Sequence, residues 1–257
     1  MAIVIFIVLG IGAFILLVLI IHNALVNNNT LWHFKHCNVL VGGKKGSGKD
    51  MLFQWVINKR HDFYYGNISY GGKHKVIKLK EVSCEPNDYD HIVNDKIEKQ
   101  PHYFREKKDI YISDIGVYLP SYMDSKLYQK FPSMPIYYAL SRHLNNGNVH
   151  CNTQNIERGW KALREQADFY IIVKRTYKVL GFLFITKYYS YDNYESAKKN
   201  LKPIRARLLN KYSKSEVDLY RATNGEIQKG YIFQLKHSLK YDTRAMEKIL
   251  LKGRRKK

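Results

Sequence analysis

The sequence is poor in cysteine and in acidic residues. Its three cysteines, Cys37, Cys84 and Cys151, share no C-x-x-C spacing, which argues against a zinc site or a disulfide framework. We therefore expect reduced thiols in a cytosolic compartment. Asp and Glu number 22 against 43 Lys and Arg, which gives a formal net charge of +21. An excess of this size predicts a polyanionic partner, either nucleic acid or an anionic membrane surface.

Charge is also missing from the start of the chain, where residues 2–21 contain no charged side chain. A helix over this run reaches about 30 Å, the thickness of the hydrocarbon core of a bilayer. The features of a cleaved signal peptide, a basic start, a shorter apolar run and a small-residue cleavage site, are not found. A buried core helix is the other interpretation, although such helices seldom lack polar residues for so long. We predict a transmembrane anchor over residues 1–23 and a polar tether over 24–35.

The orientation of this anchor follows from its flanks. No Lys or Arg precedes the span, whereas Lys35, Lys44 and Lys45 follow it. Because basic residues favour the cytoplasmic side, we expect a single-pass protein whose C-terminal domain lies in the cytoplasm.

A phosphate-binding loop follows the tether. Residues 37–43 have the apolar character of a buried strand, and Gly43, Gly48 and Lys49 fit the pattern G-x-x-x-x-G-K before a helical stretch. Glycines let backbone N–H groups point at phosphate oxygens, the helix N-terminus favours negative charge, and the lysine adds a positive charge. We predict that ATP contacts Gly43, Lys44, Lys45, Gly46, Ser47, Gly48, Lys49 and Asp50.

Asp50 stands where this motif has Ser or Thr, whose hydroxyl binds Mg²⁺. A carboxylate is also a good ligand for Mg²⁺, and nearby lysines can offset its charge. One hypothesis is that Asp50 binds the metal directly or through water. The other is a weakened site that binds nucleotide but turns it over slowly.

A second nucleotide motif is expected on another buried strand. Residues 107–114 supply an apolar strand that ends at Asp114, which we predict to be a metal ligand and a catalytic residue. The next position often carries a catalytic Glu, and here it is Ile115. Asp124 and Glu157 are possible substitutes, and the sequence does not choose between them.

Residues 138–168 form the most distinctive block. In order it contains Arg142 and His143, a turn at 145–148, a short strand ending in Thr153–Asn155, a helix with Arg158 and Arg164, and Asp168 before a strand at 169–173.

Together with GGKKGSGKD and YISDIG, this block resembles the Zot-like family, the zonula-occludens-toxin-like proteins and assembly ATPases of filamentous phages. More broadly it is similar to the FtsK/HerA-type branch of P-loop ATPases. The resemblance covers about residues 38–175. It implies an α/β P-loop domain over 36–178, with a mostly parallel sheet, helices on both faces and the transmembrane helix in front.

The resemblance also implies roles for single residues. Gln154 is similar to the polar sensor of the γ-phosphate or attacking water. Arg142, Arg158 or Arg164 can act in trans as an arginine finger in a homo-oligomeric ring, and Arg142 is the preferred candidate. The family usually has Ser or Thr at position 50 and an acidic residue at 115, so this chain departs from it at both.

The last third, residues 179–257, is predicted to be a basic extension of strands and a helix. Two strands turn at Gly181, and 240–251 could form an amphipathic helix. Basic clusters at 198–207 and 252–257 lie among tyrosines, which suits single-stranded nucleic acid, since charge follows the backbone and rings stack on bases. The terminal run could instead contact anionic lipid.

These observations favour a membrane-anchored ATPase, dependent on ATP and Mg²⁺, that drives single-stranded DNA during phage morphogenesis at the host inner membrane, together with coat or assembly proteins. The alternative is a nucleotide-binding membrane scaffold that recruits DNA or coat proteins with little hydrolysis. A small-molecule kinase ranks last, because it needs neither the anchor nor the charge.

Overall fold

The computed structural model describes residues 2–76, 108–130, 138, 147–201 and 225–236. In chain order the described strands are β1 (Val39–Gly42), β2 (Tyr64–Gly66), β3 (His74–Val76), β4 (Asp109–Ile112), β5 (Val149–Thr153), β6 (Phe169–Val179), β7 (Leu183–Tyr191) and β8 (Ile227–Leu235). The described helices are α1 (Ala2–His36), α2 (Lys49–Arg60), α3 (Ile115–Tyr118), α4 (Asp124–Lys130), α5 (Lys161–Glu165) and α6 (Tyr194–Lys198), with 3₁₀ turns at Ser121–Met123 and Ile156–Arg158.

The strands form one sheet in the order β3-β2-β4-β5-β1-β6-β7-β8. All pairs from β3 to β6 are parallel, and the two pairs that add β7 and β8 are antiparallel. The predicted α/β fold with a mostly parallel sheet is therefore confirmed. β1, which leads into the glycine-rich loop, lies at the centre of the sheet between β5 and β6.

Both faces of the sheet are covered, and β1, β4 and β5 are buried throughout. Leu52, Phe53 and Val56 of α2 pack with Val39 and Val41 on one face. On the other face, Ile115, Trp160 and Leu163 pack against Leu40, Ile112 and Cys151. Alternate residues of the central strands thus enter opposite cores, and the prediction of helices on both faces is confirmed.

The antiparallel part of the sheet contains the predicted turn at Gly181. β6 and β7 form a hairpin around residues 180–182, and Gly181 has a φ of +74°. β7 and β8 extend the sheet of the phosphate-binding strand, so the C-terminal strands and the P-loop share one sheet. The expected helix at 240–251 and the basic residues at 202–207 and 252–257 lie outside the described residues.

The segment expected to be a tether, residues 24–35, is helical and continues α1. Val26, Thr30 and Phe34 recur every four residues and are buried against the domain, which is the pattern of a helix packed along one face. Of the asparagines that suggested a tether, Asn27 and Asn29 bind the sheet instead. By contrast, the apolar side chains between Leu9 and Ile21 are about half exposed or more. By length and composition, α1 could cross a membrane.

α1 covers the free edge of β8. The Asn23 side chain accepts from the Tyr231 N–H (2.8 Å) and donates to its carbonyl (3.0 Å), and Asn27 donates to the same carbonyl (3.0 Å). Asn29 donates to the Gln228 side chain (3.1 Å). An edge strand offers unpaired backbone groups, and here asparagine amides satisfy those of Tyr231.

The C-terminal end of α1 is bonded to the domain as well. Arg60, the last residue of α2, donates to the Phe34 carbonyl (2.8 Å), and Asn148 donates to the Lys35 carbonyl (2.9 Å). These carbonyls lack partners inside the helix, so both bonds fix where α1 ends. Arg60 is also paired with Asp109, at the start of β4.

Candidate nucleotide-binding site

The glycine-rich loop connects β1 to α2 in the predicted order of strand, loop and helix. Gly46 and Gly48 have φ values of +75° and +101°, a backbone region that other residues rarely adopt. A side chain at position 48 would also meet Oγ1 of Thr176 at 2.1 Å. Thr176 donates to the Ser47 carbonyl (2.8 Å), so a hydrogen bond from β6 holds the loop backbone in place.

Two polar side chains of the loop are enclosed. Lys49 and Ser47 are each only 5% exposed. Nζ of Lys49 lies 3.5 Å from the Lys44 carbonyl, and Oγ of Ser47 has no hydrogen-bond partner in the described part of the chain. A buried cation and an unsatisfied hydroxyl at a helix N-terminus fit an anionic group such as a phosphate.

Asp50 is the centre of a polar network. Its Oδ1 accepts from Nδ2 of Asn152 (2.9 Å), the hydroxyl of Tyr70 (3.1 Å) and Oγ of Ser113 (3.2 Å). These donors come from β5, from the segment after β2 and from the end of β4. The carboxylate is therefore held in one orientation by donors from three separate segments of the chain.

Asp114 lies beside this network. It follows β4 with a φ of +53°, and its N–H donates to Oδ1 of Asn152 (2.8 Å). Burial and the negative charge of Asp50 raise the pKa of Asp114, while Lys49 opposes the shift. The structure thus brings together Lys49, Asp50 and Asp114, as the sequence predicts, at the carboxyl ends of neighbouring strands.

The pair of carboxylates fits a magnesium site in composition. Mg²⁺ usually binds one or two carboxylates and completes its shell with water and substrate phosphates. Within the described ranges, no group of three or more His, Cys, Asp or Glu residues could hold a metal. Two carboxylates, Asp50 and Asp114, beside a phosphate-type loop match the simpler arrangement. A metal role for Asp50 and Asp114 stays a prediction.

Gln154 directly follows β5, and its side chain is exposed. β5 lies between β1 and β4, and the carbonyl of Thr153 accepts from the N–H of Gly43 (3.2 Å). Gln154 therefore begins next to the loop, on the same edge of the sheet as Asp114. This place suits the sensor role that the resemblance implies.

Position 115 does not face this edge. Ile115 is fully buried in the core on the opposite side of α3, where its side chain lies against Gly159. A glutamate here would enter an apolar core, so position 115 supplies no base. Of the two substitutes, Glu157 is paired with Lys198 (3.3 Å), and Asp124 begins α4.

The candidate arginine fingers differ in their surroundings. Arg164 donates to the Glu157 carbonyl (2.8 Å) and stacks over the ring of Tyr194, so its guanidinium is engaged within the chain. Arg158 is exposed in the 3₁₀ turn after Gln154. Arg142 lies outside the described residues.

Sequence analysis did not find Asn152, Ser113, Tyr70 or Asn67 as site residues. Asn67 exchanges two hydrogen bonds with the backbone of Ser113 (2.8 and 3.0 Å) and so positions the strand end before Asp114. The available signal was Asn152, one of the polar residues of β5 just before Gln154.

No protein-family model matches the chain, and no curated protein matches it. Among solved structures, the chain is similar to the N-terminal domain of zonular occludens toxin from Neisseria meningitidis, at 12% identity and a TM-score of 0.42, over 81% of this chain and 96% of that one. It is also similar to the genome-packaging NTPase B204 of Sulfolobus turreted icosahedral virus 2 in complex with AMP, at 14% identity and a TM-score of 0.37, over 81% and 96%.

A third similar structure is B204, the DNA-packaging ATPase of Sulfolobus turreted icosahedral virus, at 14% identity and a TM-score of 0.33, over 77% of this chain and 96% of that one. These structures belong to the class that the sequence motifs resemble. Because the identities and TM-scores are low, the function proposed below rests on the residues of this chain.

Proposed function

We propose that the protein is a membrane-anchored P-loop ATPase that moves single-stranded DNA during phage morphogenesis. The observation that carries the proposal is the loop over residues 43–50, where a buried Lys49 and an unsatisfied Ser47 hydroxyl meet two carboxylates at the ends of neighbouring strands. An anion with a divalent cation, as in Mg–ATP, complements this set of charges.

Each residue of the site then has a task. The loop N–H groups and Lys49 hold the phosphates, and Asp50 and Asp114 would hold Mg²⁺, which when bound neutralises charge that develops on the phosphates. Gln154 orients the attacking water. Position 115 supplies no base for this water, because Ile115 is buried in the apolar core.

The anchor and the charge support the rest of the proposal. The exposed apolar half of α1 suits a bilayer, and the net charge of +21 suits a polyanion. Lysines also lie over tyrosine rings on the antiparallel strands, as in the pairs Lys174–Tyr189 and Lys229–Tyr231. We propose that identical subunits form a ring on the cytoplasmic face of the host inner membrane, with coat or assembly proteins as further partners. Arg142 is our candidate for the trans-acting finger.

A nucleotide-binding scaffold with little turnover is the second candidate. It is favoured by Asp50, whose Oδ1 already accepts three hydrogen bonds, and by Ile115 in place of an acidic residue. Such a protein would bind ATP and recruit DNA without using the energy of hydrolysis.

DNA-stimulated hydrolysis separates the two candidates. The full chain, reconstituted in lipid vesicles, is assayed for ATP hydrolysis with and without single-stranded DNA, over a range of salt concentrations. The motor predicts turnover that rises with DNA, with a stimulation that weakens as salt increases, since phosphate contacts are screened. Binding of ATP without DNA-dependent turnover would support the scaffold.

The metal role of Asp50 makes a separate prediction. We expect Asp50→Ala to raise the Mg²⁺ concentration needed for half-maximal turnover by roughly 10- to 100-fold, as loss of a ligand or its support does at other metal sites. Asp50→Ser restores a hydroxyl at the position and should need less Mg²⁺ than Asp50→Ala. The measurement is a Mg²⁺ titration of ATP hydrolysis. An unchanged titration midpoint for Asp50→Ala would show that Asp50 holds no metal.

A further inference from the structure

The end of the β6–β7 hairpin carries an apolar surface that the described part of the chain leaves partly exposed. Two rows of directly paired residues cross the three antiparallel strands there, Tyr177–Ile185–Phe233 and Val179–Leu183–Leu235. Paired residues two apart along a strand share one face, so these six side chains form a single surface, here called the apolar tip. Phe233 is 56% exposed, and Tyr177 and Leu235 are each 42% exposed.

The turn that closes the hairpin extends this surface. Leu180 and Phe182 are 80% and 51% exposed. Leu180 also has a φ of +49°, a conformation that a bulky side chain rarely adopts and that Gly or Asn adopts readily. An exposed leucine in a conformation that is unfavourable for its side chain indicates that Leu180 contacts something other than the domain itself.

The apolar tip extends in the same direction as the transmembrane part of α1. Asn29 bonds to Gln228, and Asn23 bonds to Tyr231, so α1 towards its N-terminus and β8 towards its C-terminus run the same way. From Tyr231 to Leu235, β8 advances about 13 Å, a rise that α1 makes in about nine residues. Measured along this common direction, Leu235 of β8 therefore lies beside the apolar run 2–21 of α1.

A basic and aromatic row lies just below the apolar tip. Arg175, Lys187 and Tyr231 are paired across the same three strands. Arg175 lies over the ring of Tyr177, Lys187 over the ring of Tyr189, and Lys229 over the ring of Tyr231. Tyrosines and long basic side chains below an apolar surface match the boundary between lipid chains and anionic head groups.

We propose that the apolar tip inserts into the lipid bilayer beside α1, with Arg175 and Lys187 at the level of anionic head groups. The inference rests on the proposed membrane anchoring and adds a second point of attachment. Two attachments would fix the orientation of the domain.

The distance from the nucleotide site to the tip follows from the length of β6. Ile172 is the partner of Gly42, and β6 continues beyond it for seven residues, a length of about 23 Å. The nucleotide site therefore lies on the side of the domain that faces the membrane, and the length of β6 separates it from the tip.

Tryptophan reporters in the full chain test this insertion. Phe182→Trp places a reporter at the tip, Leu16→Trp places one in the apolar run of α1, and Lys59→Trp places one on the exposed far end of α2. Each variant is reconstituted in vesicles of phosphatidylcholine and phosphatidylglycerol, with or without bromine on the acyl chains, and its emission is compared with that of the unsubstituted chain. All three substitutions are at exposed positions, so the fold should be retained.

Insertion predicts that bromine lowers the added emission of Phe182→Trp roughly twofold, as for Leu16→Trp, and leaves Lys59→Trp unchanged. Quenching of Leu16→Trp alone would overturn the inference and leave the anchor in place. A blue-shifted but unquenched Phe182→Trp would also overturn it, since protein would then cover the tip. If Leu16→Trp is not quenched, the proposed anchoring itself fails, and this inference fails with it.

Discussion

Replacing Lys49 by alanine is expected to lower ATP turnover by about 10²- to 10³-fold, the cost of removing one group that stabilises transition-state charge in an enclosed site. Lys49 is 5% exposed and lies at the first position of α2, where its charge adds to the helix N-terminus. Because this lysine is screened from solvent by the loop, water cannot replace it well when it is removed.

The measurement is steady-state ATP hydrolysis by the full chain in vesicles at saturating Mg²⁺ and single-stranded DNA. Lys59→Ala is the matched control, since Lys59 is an exposed lysine of the same helix, about 15 Å along its axis. It should retain the turnover of the unsubstituted chain. If Lys49→Ala kept more than about a tenth of that turnover, the loop would not be the catalytic phosphate site.

Local pattern was sufficient to predict the centre of the molecule. The strand, loop and helix around Gly43–Asp50 and the strand ending at Asp114 depend on neighbours in sequence, and the structure has them as predicted. The parallel sheet follows from the same apolar runs, because strands buried on both faces are apolar throughout. What these elements share is that a few consecutive residues determine them.

Contacts between distant segments were not predictable in this way. Asn23, Asn27 and Asn29 form a polar stretch that is typical of a tether, and only β8, about 200 positions later, turns them into partners. The network on Asp50 has the same character, since its donors come from three segments. Ile115 is an intermediate case: the missing carboxylate is visible in the sequence, but its burial against Gly159 is visible only in the fold.

α2 joins the glycine-rich loop to the C-terminal end of α1. Its first residues, Lys49 and Asp50, belong to the nucleotide site, and its last residue, Arg60, donates to the Phe34 carbonyl at the end of α1. Arg60 also pairs with buried Asp109 and with exposed Asp62.

Arg60→Ala is accordingly expected to lower the free energy of unfolding by about 3–5 kcal/mol, the usual cost of leaving a buried charge without its partner. The Arg60 and Asp109 side chains are only 17% and 9% exposed. The loss also frees the Phe34 carbonyl. Lys161→Ala, which breaks an exposed pair with Glu165, is the control and should change stability by less than about 0.5 kcal/mol. The measurement is reversible denaturant unfolding of the full chain in detergent micelles, followed by tryptophan fluorescence.

The pH dependence of this loss identifies its cause. Burial opposes ionisation of Asp109, but His150, Arg60 and the Asn148 N–H together lower its pKa below the ordinary value. Its contribution to stability is therefore present above the ordinary pKa of aspartate and is lost as pH falls through the lower value of the folded state. In Arg60→Ala the carboxylate loses its guanidinium partner, so the difference from the unsubstituted chain should shrink as acid protonates it. Adding Asp109→Asn, which keeps an oxygen for Asn148, should recover part of the stability at neutral pH. A loss that is equal at every pH and is not recovered would mean that it comes from the packing of Arg60 and its bond to the Phe34 carbonyl, and not from its pairing with Asp109.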